Sequence, residues 1–171
     1  MYGIGDLIVY GHTGVCKIED IALLTPSSLP ERDTQLYYIL KPLYQKGTIY
    51  TPADPPKVFM RPVMSPDEAN QLIDCIPAAP TEIFRCKSLP ELKRRYREAS
   101  LAYDCNSLMS LVLSIRKKKE EAEKQKKKIG QIDLRFMKQT EDLLFGELAV
   151  SLGIPRDTVP AYISQRISIL W

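Results

Sequence analysis

Chemistry at a protein site needs nucleophiles, acid–base groups or metal ligands close together, and this 171-residue chain has few of them. There is one histidine, His12, and four cysteines, Cys16, Cys75, Cys86 and Cys105, separated by 59, 11 and 19 positions. A structural zinc site draws on short Cys or His pairs, and no CxxC occurs here. A Ser-His-Asp or Cys-His arrangement would have to use His12. That residue stands in Gly11-His12-Thr13-Gly14 between two apolar runs, the setting of a solvent-facing turn residue. Neither GxGxxG nor GxxxxGKS/T is found, so phosphate chemistry has no loop to cradle it. The expectation is a protein that is not an enzyme and has no metal, cofactor or small-molecule substrate. Its cysteines are expected to be small buried hydrophobes.

What the chain does carry is charge, unevenly. Residues 1–84 hold 6 Lys/Arg and 10 Asp/Glu, residues 85–128 hold 14 against 6, and residues 129–171 hold 4 against 5. The net of +3 therefore conceals a window of +8 between segments of −4 and −1. Such asymmetry fits an interaction with phosphates. It also fits a solvated, lysine-rich helix end, because Glu120, Glu121 and Glu123 can pair with lysines at helical spacing within Arg116–Lys128.

Those charges must be positioned by secondary structure, and the chain changes period near residue 64. Before it, short apolar runs are separated by turn residues: Leu7–Tyr10, Gly14–Ile21, Gln35–Lys41, Gly47–Thr51 and Lys57–Arg61. Five such strands predict a small barrel of SH3 or Tudor type, with 22–34 (Pro26, Ser27, Ser28, Pro30) as a surface loop. After it, Ser65-Pro66-Asp67-Glu68 and Ser88-Leu89-Pro90-Glu91 are capping-box patterns that open two helices. The second carries the stripe Leu92, Tyr96, Ala99, Tyr103. A third helix, capped by Asp104 or Asn106, is predicted to run to Gly130. A fourth spans 132–152 with Phe136, Met137, Leu143, Leu144, Leu148 and Leu152 on one broad face. A fifth runs from near Pro155 toward Ile169. The fold class is α+β in two domains, a β-barrel over 1–64 and an all-α five-helix domain over 65–171.

No apolar run reaches the ~18 residues of a membrane span. The opening MYGIGDLIVYG lacks a basic n-region and holds Asp6 within its apolar stretch, so it does not read as a signal peptide. The expected location is the cytoplasm, without membrane contact.

The order of pieces resembles the CarD family of bacterial transcription regulators along nearly the whole chain. The landmarks are Ile4-Gly-Asp-Leu-Ile-Val-Tyr-Gly-His-Thr-Gly-Val15, Tyr37-Tyr-Ile-Leu40, Gly47-Thr-Ile-Tyr-Thr-Pro52, Lys93-Arg-Arg-Tyr96 and Phe145-Gly-Glu-Leu-Ala-Val-Ser-Leu-Gly153. The resemblance implies a Tudor-like domain that binds the RNA polymerase β subunit, as in transcription-repair coupling factor. It implies a helical domain that touches promoter DNA without sequence specificity and stabilises the open complex at the nucleoid. Phosphate contacts would come from Lys93, Arg94, Arg95 and Arg97, with Arg116, Lys117 and Lys118 from the basic run.

This sequence departs from the family pattern twice. The minor-groove wedge tryptophan of the Trp-x-Arg-Arg-Tyr pattern is replaced by Leu92, while the only tryptophan is Trp171. Leu92 is either a weaker wedge or part of the packed face with Tyr96. In the fourth strand, a basic polymerase-contacting residue gives way to Tyr50, flanked by Ile49, Thr51 and Pro52. Tyr50 either anchors an interface or packs across the sheet, and an edge strand there can also recruit a partner strand through its backbone. The rival function is a protein-interaction adaptor that docks on polymerase or a repair factor without acting on DNA.

Overall fold

A computed structural model describes residues 1–25 and 34–171. It divides into two compact units, Met1–Met64 and Ser65–Trp171. Most of the expected 22–34 loop lies outside the described residues. Residues 22–24 are strand.

The first unit is one antiparallel sheet built from β1 (Leu7–Tyr10), β2 (Gly14–Leu24), β3 (Gln35–Pro42), β4 (Ile49–Pro52) and β5 (Met60–Pro62). Residues Gly11–Thr13 form a tight 3-10 turn between β1 and β2, with His12 exposed. Gly11 sits at φ +43°, and a Cβ there would lie 2.7 Å from the Val58 side chain, so both conformation and space require glycine. Alternation puts Ile8, Tyr10, Cys16, Ile18, Tyr38 and Leu40 on the buried face. A register shift between Ile18 and Asp20 lets Ile18 and Ile21, three apart, both turn toward that core. The Tyr38 hydroxyl accepts from the Tyr2 N–H at 3.0 Å, fixing the start of the chain to the core.

The expected closure of this unit into a barrel needs correction. The strand order is β4-β3-β2-β1-β5, with no ladder joining β4 to β5 among the described residues, so the sheet is not closed into a barrel. Both outer strands are too short to complete a cylinder: β4 starts at Ile49 and β5 at Met60. The prolines at 55 and 56 and the bends through Lys57 and Val58 keep the approach to β5 out of the ladder.

The second unit is helical: α1 (Pro66–Asp74), α2 (Leu89–Ser100), α3 (Cys105–Lys124), α4 (Gln131–Leu152) and α5 (Val159–Ile167). Ser65 and Glu68 make the reciprocal capping box that opens α1. The Ser88 hydroxyl caps α2 and the Asp104 carboxylate caps α3. Gly153, left-handed at φ +66°, closes α4. Arg166 on α5 forks onto Asp74 of α1 at 2.7 and 2.8 Å, and the Tyr162 hydroxyl donates to Asn70 at 2.6 Å. The Asp74 carboxyl is held below its ordinary range by that guanidinium.

Several helix limits also differ from expectation. Tyr103 lies beyond the end of α2 and is left-handed. α3 stops at Lys124, six residues before Gly130. Lys126 takes the left-handed position that glycine commonly fills, and Lys127 N–H bonds back to Ala122 at 2.8 Å. A 3-10 turn at Arg156–Thr158 precedes α5, which ends at Ile167.

The cysteines divide. Cys16 is fully buried and its thiol is pushed up to about 11 by burial. Cys105 is buried, but its thiol donates to the buried Glu147 carboxylate at 2.9 Å, so it is more than a hydrophobe. Cys86 is half-buried and Cys75 exposed, because α1 turns that position outward at its C-cap. Among the described residues, no helix is long and apolar enough to cross a membrane.

Candidate interaction surfaces

Among the described residues, β4 is an edge strand with one side unpaired. Its pairing to β3 is Leu40↔Ile49, Ile39↔Tyr50, Tyr38↔Thr51 and Tyr37↔Pro52. Ala53 N–H donates to Leu36 at 2.8 Å, so alternation directs the main-chain groups of 49, 51 and 53 toward β3. The N–H and C=O of Tyr50 and the C=O of Pro52 therefore point to the unpaired side. Of the four residues expected to touch a partner, only Tyr50 offers an exposed side chain, at 60%. Ile49 packs against the inner cluster, while Thr51 and Pro52 are buried. Tyr50, Pro52 and their cross-strand partners Ile39 and Tyr37 share the sheet's outer face, with the last two half-buried. An outward backbone donor and acceptor beside an aromatic strip is the arrangement that strand addition uses.

The opposite edge differs. β5 has three residues, one of them Pro62, and is approached through Pro55 and Pro56. Proline removes donors, which makes this the guarded edge.

In the helical unit the expected phosphate contacts separate into two groups. Arg94 and Arg97 on α2 are exposed and Lys93 is half-buried, with one exposed i,i+4 pair, Arg94–Glu98 at 3.4 Å. Arg95 is different: its guanidinium lies 4.8 Å over the Phe84 ring and contacts Cys86 Sγ at 3.9 Å. On α3, Arg116 sits 4.5 Å over the Trp171 ring and 3.7 Å from Glu141. Lys118 donates to Asp133 at 2.9 Å. Lys117 is exposed and donates to the Thr81 carbonyl at 3.1 Å. The exposed remainder of the basic run is Lys119, Lys124 and Lys126–Lys128.

Leu92, at the wedge position, is 6% exposed and packed with Tyr96, Leu111, Ile115 and Phe136. It faces inward because it shares Tyr96's side of α2. Of the two alternatives for Leu92, the structure shows the packed one: position 92 is core in this chain.

Three residues that organise the site escaped the sequence reading. Asp133, 3% exposed, accepts from the Tyr96 hydroxyl at 2.6 Å, Lys118 at 2.9 Å and Gly130 N–H at 3.2 Å. One buried carboxylate thus joins α2, α3 and the start of α4. The Tyr96 hydroxyl is pushed far up by burial and by that carboxylate. A sequence signal existed: 133, 136 and 140 follow helical spacing on α4, and Asp133 is the one acid on that stripe. Phe84 stacks on Tyr96 at 5.6 Å from a segment without regular structure, and Trp171 packs from beyond α5. Neither position has a local pattern that places it.

No curated protein matches this chain. Residues 2–64 match the family model of the CarD-like/TRCF RID domain, which coincides with the five-stranded unit and includes the open β4 edge. That N-terminal unit is thus similar to the CarD-like/TRCF RID domain along nearly its whole length.

Proposed function

We propose that the chain is a non-enzymatic regulator of transcription initiation that couples RNA polymerase to promoter DNA. The observation that carries the reading is the β4 edge within an RID-family domain: Tyr50 faces solvent through its ring while its N–H and C=O point away from β3. A strand of the polymerase β subunit adds there, taking main-chain hydrogen bonds from Tyr50 and resting on the Tyr37–Ile39–Tyr50 strip. The replaced basic residue is tolerable because the backbone supplies most of the recognition.

The α2 cations Lys93, Arg94 and Arg97 then hold DNA phosphates near the melted region. Because Leu92 is core, open-complex stabilisation rests on backbone charge, without an inserted side chain. The chain acts where polymerase and nucleoid DNA are, in the cytoplasm.

The test is co-purification of the full chain with a polymerase β fragment, using Tyr50→Ala and Tyr50→Pro. Tyr50→Pro removes an outward donor without removing a bond to β3, so it reads strand addition directly. Tyr50→Ala is expected to weaken binding about tenfold, as loss of an interface aromatic does. Tyr50→Pro is expected to abolish it. Wild-type binding by both variants would move the contact off β4.

The adaptor reading retains one specific support, the internal engagement of Arg116 and Lys118 together with buried Leu92. Duplex binding that weakens steeply with salt excludes it.

A further inference from the structure

Arg116 is held in a way that Lys118 is not. Lys118 bonds a carboxylate that is almost fully buried, at hydrogen-bonding distance. Arg116 instead stands 3.7 Å from Glu141, beyond hydrogen-bonding distance, and its other partner is the face of Trp171. The Arg116 side chain keeps 27% of its surface exposed. Lys119 lies one helical turn along α3, and it and Lys138 of α4 are both close enough to act electrostatically on Glu141. Lys138 itself pairs with Asp142 at 3.3 Å on the surface. The α3–α4 face thus gathers three cations around the half-buried Glu141, with Asp142 beside it and the Trp171 indole laid over Arg116.

The indole is poorly secured. Its Nε1 is buried with no hydrogen-bond partner, and an orphaned buried donor is unfavourable. Ser168, at the turn leading to it, is left-handed without being glycine. Ile169 and Leu170 are exposed, Leu170 at 91%. What holds Trp171 is its edge contact to Phe145 at 6.1 Å, its main-chain N–H to Ser164 Oγ at 2.9 Å, and Arg116 itself.

We propose that Arg116, Lys119 and Lys138 form a binding site for a nucleic-acid phosphate, with both lysines exposed, and that Trp171 is the displaceable cover over Arg116. The site rests on the DNA reading above but lies apart from α2, on the side of α3 facing α4. Phosphate replaces the indole and the distant Glu141 carboxylate as the partner of Arg116. Trp171 then leaves its half-buried position and its orphaned N–H reaches water.

Trp171 is the chain's only tryptophan, so its fluorescence reports the cover directly. The experiment titrates duplex DNA into the full-length protein at several salt concentrations. It compares wild type, Trp171→Ala, Arg116→Gln and the double variant, with folding of each verified by circular dichroism. The expected wild-type signal is a red-shifted emission on binding. Trp171→Ala should tighten binding severalfold at low salt, and Arg116→Gln in that background should remove the gain and lower the salt slope by about one. Trp171→Phe, which keeps a ring of similar shape with a weaker hold on the cation, guards against a packing artefact and should fall between wild type and alanine. Salt-dependent binding with unchanged emission and no gain in Trp171→Ala overturns the covered site and leaves the α2 reading standing. No binding by wild type or Trp171→Ala overturns both.

Discussion

The two basic helices carry similar residues to opposite ends. On α2, Arg94 and Arg97 face water, and the single ion pair there is exposed and weak. On α3, Lys118 is locked to a buried carboxylate and Arg116 is enclosed between an acid and an indole. Equal formal charge is thus divided between a surface that meets solvent and a seam that holds helices together. Net charge along a sequence counts both alike. Only the positions of the opposing carboxylates tell them apart.

Substitutions can break or sharpen this contrast. The largest effect belongs to the inward side of α2, where Leu92→Ala should destabilise the fold by about 3–4 kcal/mol through a core cavity. Urea unfolding measures it, and a near-zero change would return Leu92 to the surface. Next, Asp133→Ala should cost about 2–3 kcal/mol, since it leaves the Tyr96 hydroxyl and Lys118 without their shared acceptor. The outward side should behave in reverse. Replacing Lys93, Arg94 and Arg97 together by alanine should shift stability by no more than about 0.5 kcal/mol, while the salt dependence of DNA binding falls by about 2.7 in slope. A large stability loss there would erase the distinction between the helices. The smallest change is expected from Lys117→Ala, which sits between the classes with an exposed ammonium on the Thr81 carbonyl. It should alter stability by less than about 0.5 kcal/mol and the slope by at most about one. Whether the slope moves decides to which helix Lys117 belongs functionally.

How much was legible in the sequence follows the range of the interactions involved. Ser65, Ser88 and Asp104 announce helix starts because a cap bonds a backbone N–H three residues away, a pattern visible in any window of that size. The stripe through Leu92 and Tyr96 was equally readable, and it favoured the packed alternative that the structure adopts. The internal engagement of Arg116 and Lys118 was not legible because their partners lie 25 and 15 positions further on, brought near only by the α3–α4 packing. The end of α3 was placed at Gly130 by the rule that glycine takes the left-handed turn, whereas Lys126 takes it. The open sheet could not be foreseen from strand count, since closure depends on how far β4 and β5 extend.

The shortness of β4 has a consequence for life at high concentration. An unpaired edge is a template for any extended chain, including another copy of itself, and long flat edges lead to aggregation. Here the outward repertoire is one N–H and two C=O groups, because Pro52 contributes no donor. Two such edges meeting head to tail would share too few bonds to hold, whereas a partner strand bringing its own length and side chains has the Tyr37–Ile39–Tyr50 strip to settle on. Brevity thereby limits how many bonds a second copy could form here, while the outward groups of Tyr50 and Pro52 stay open to a longer strand.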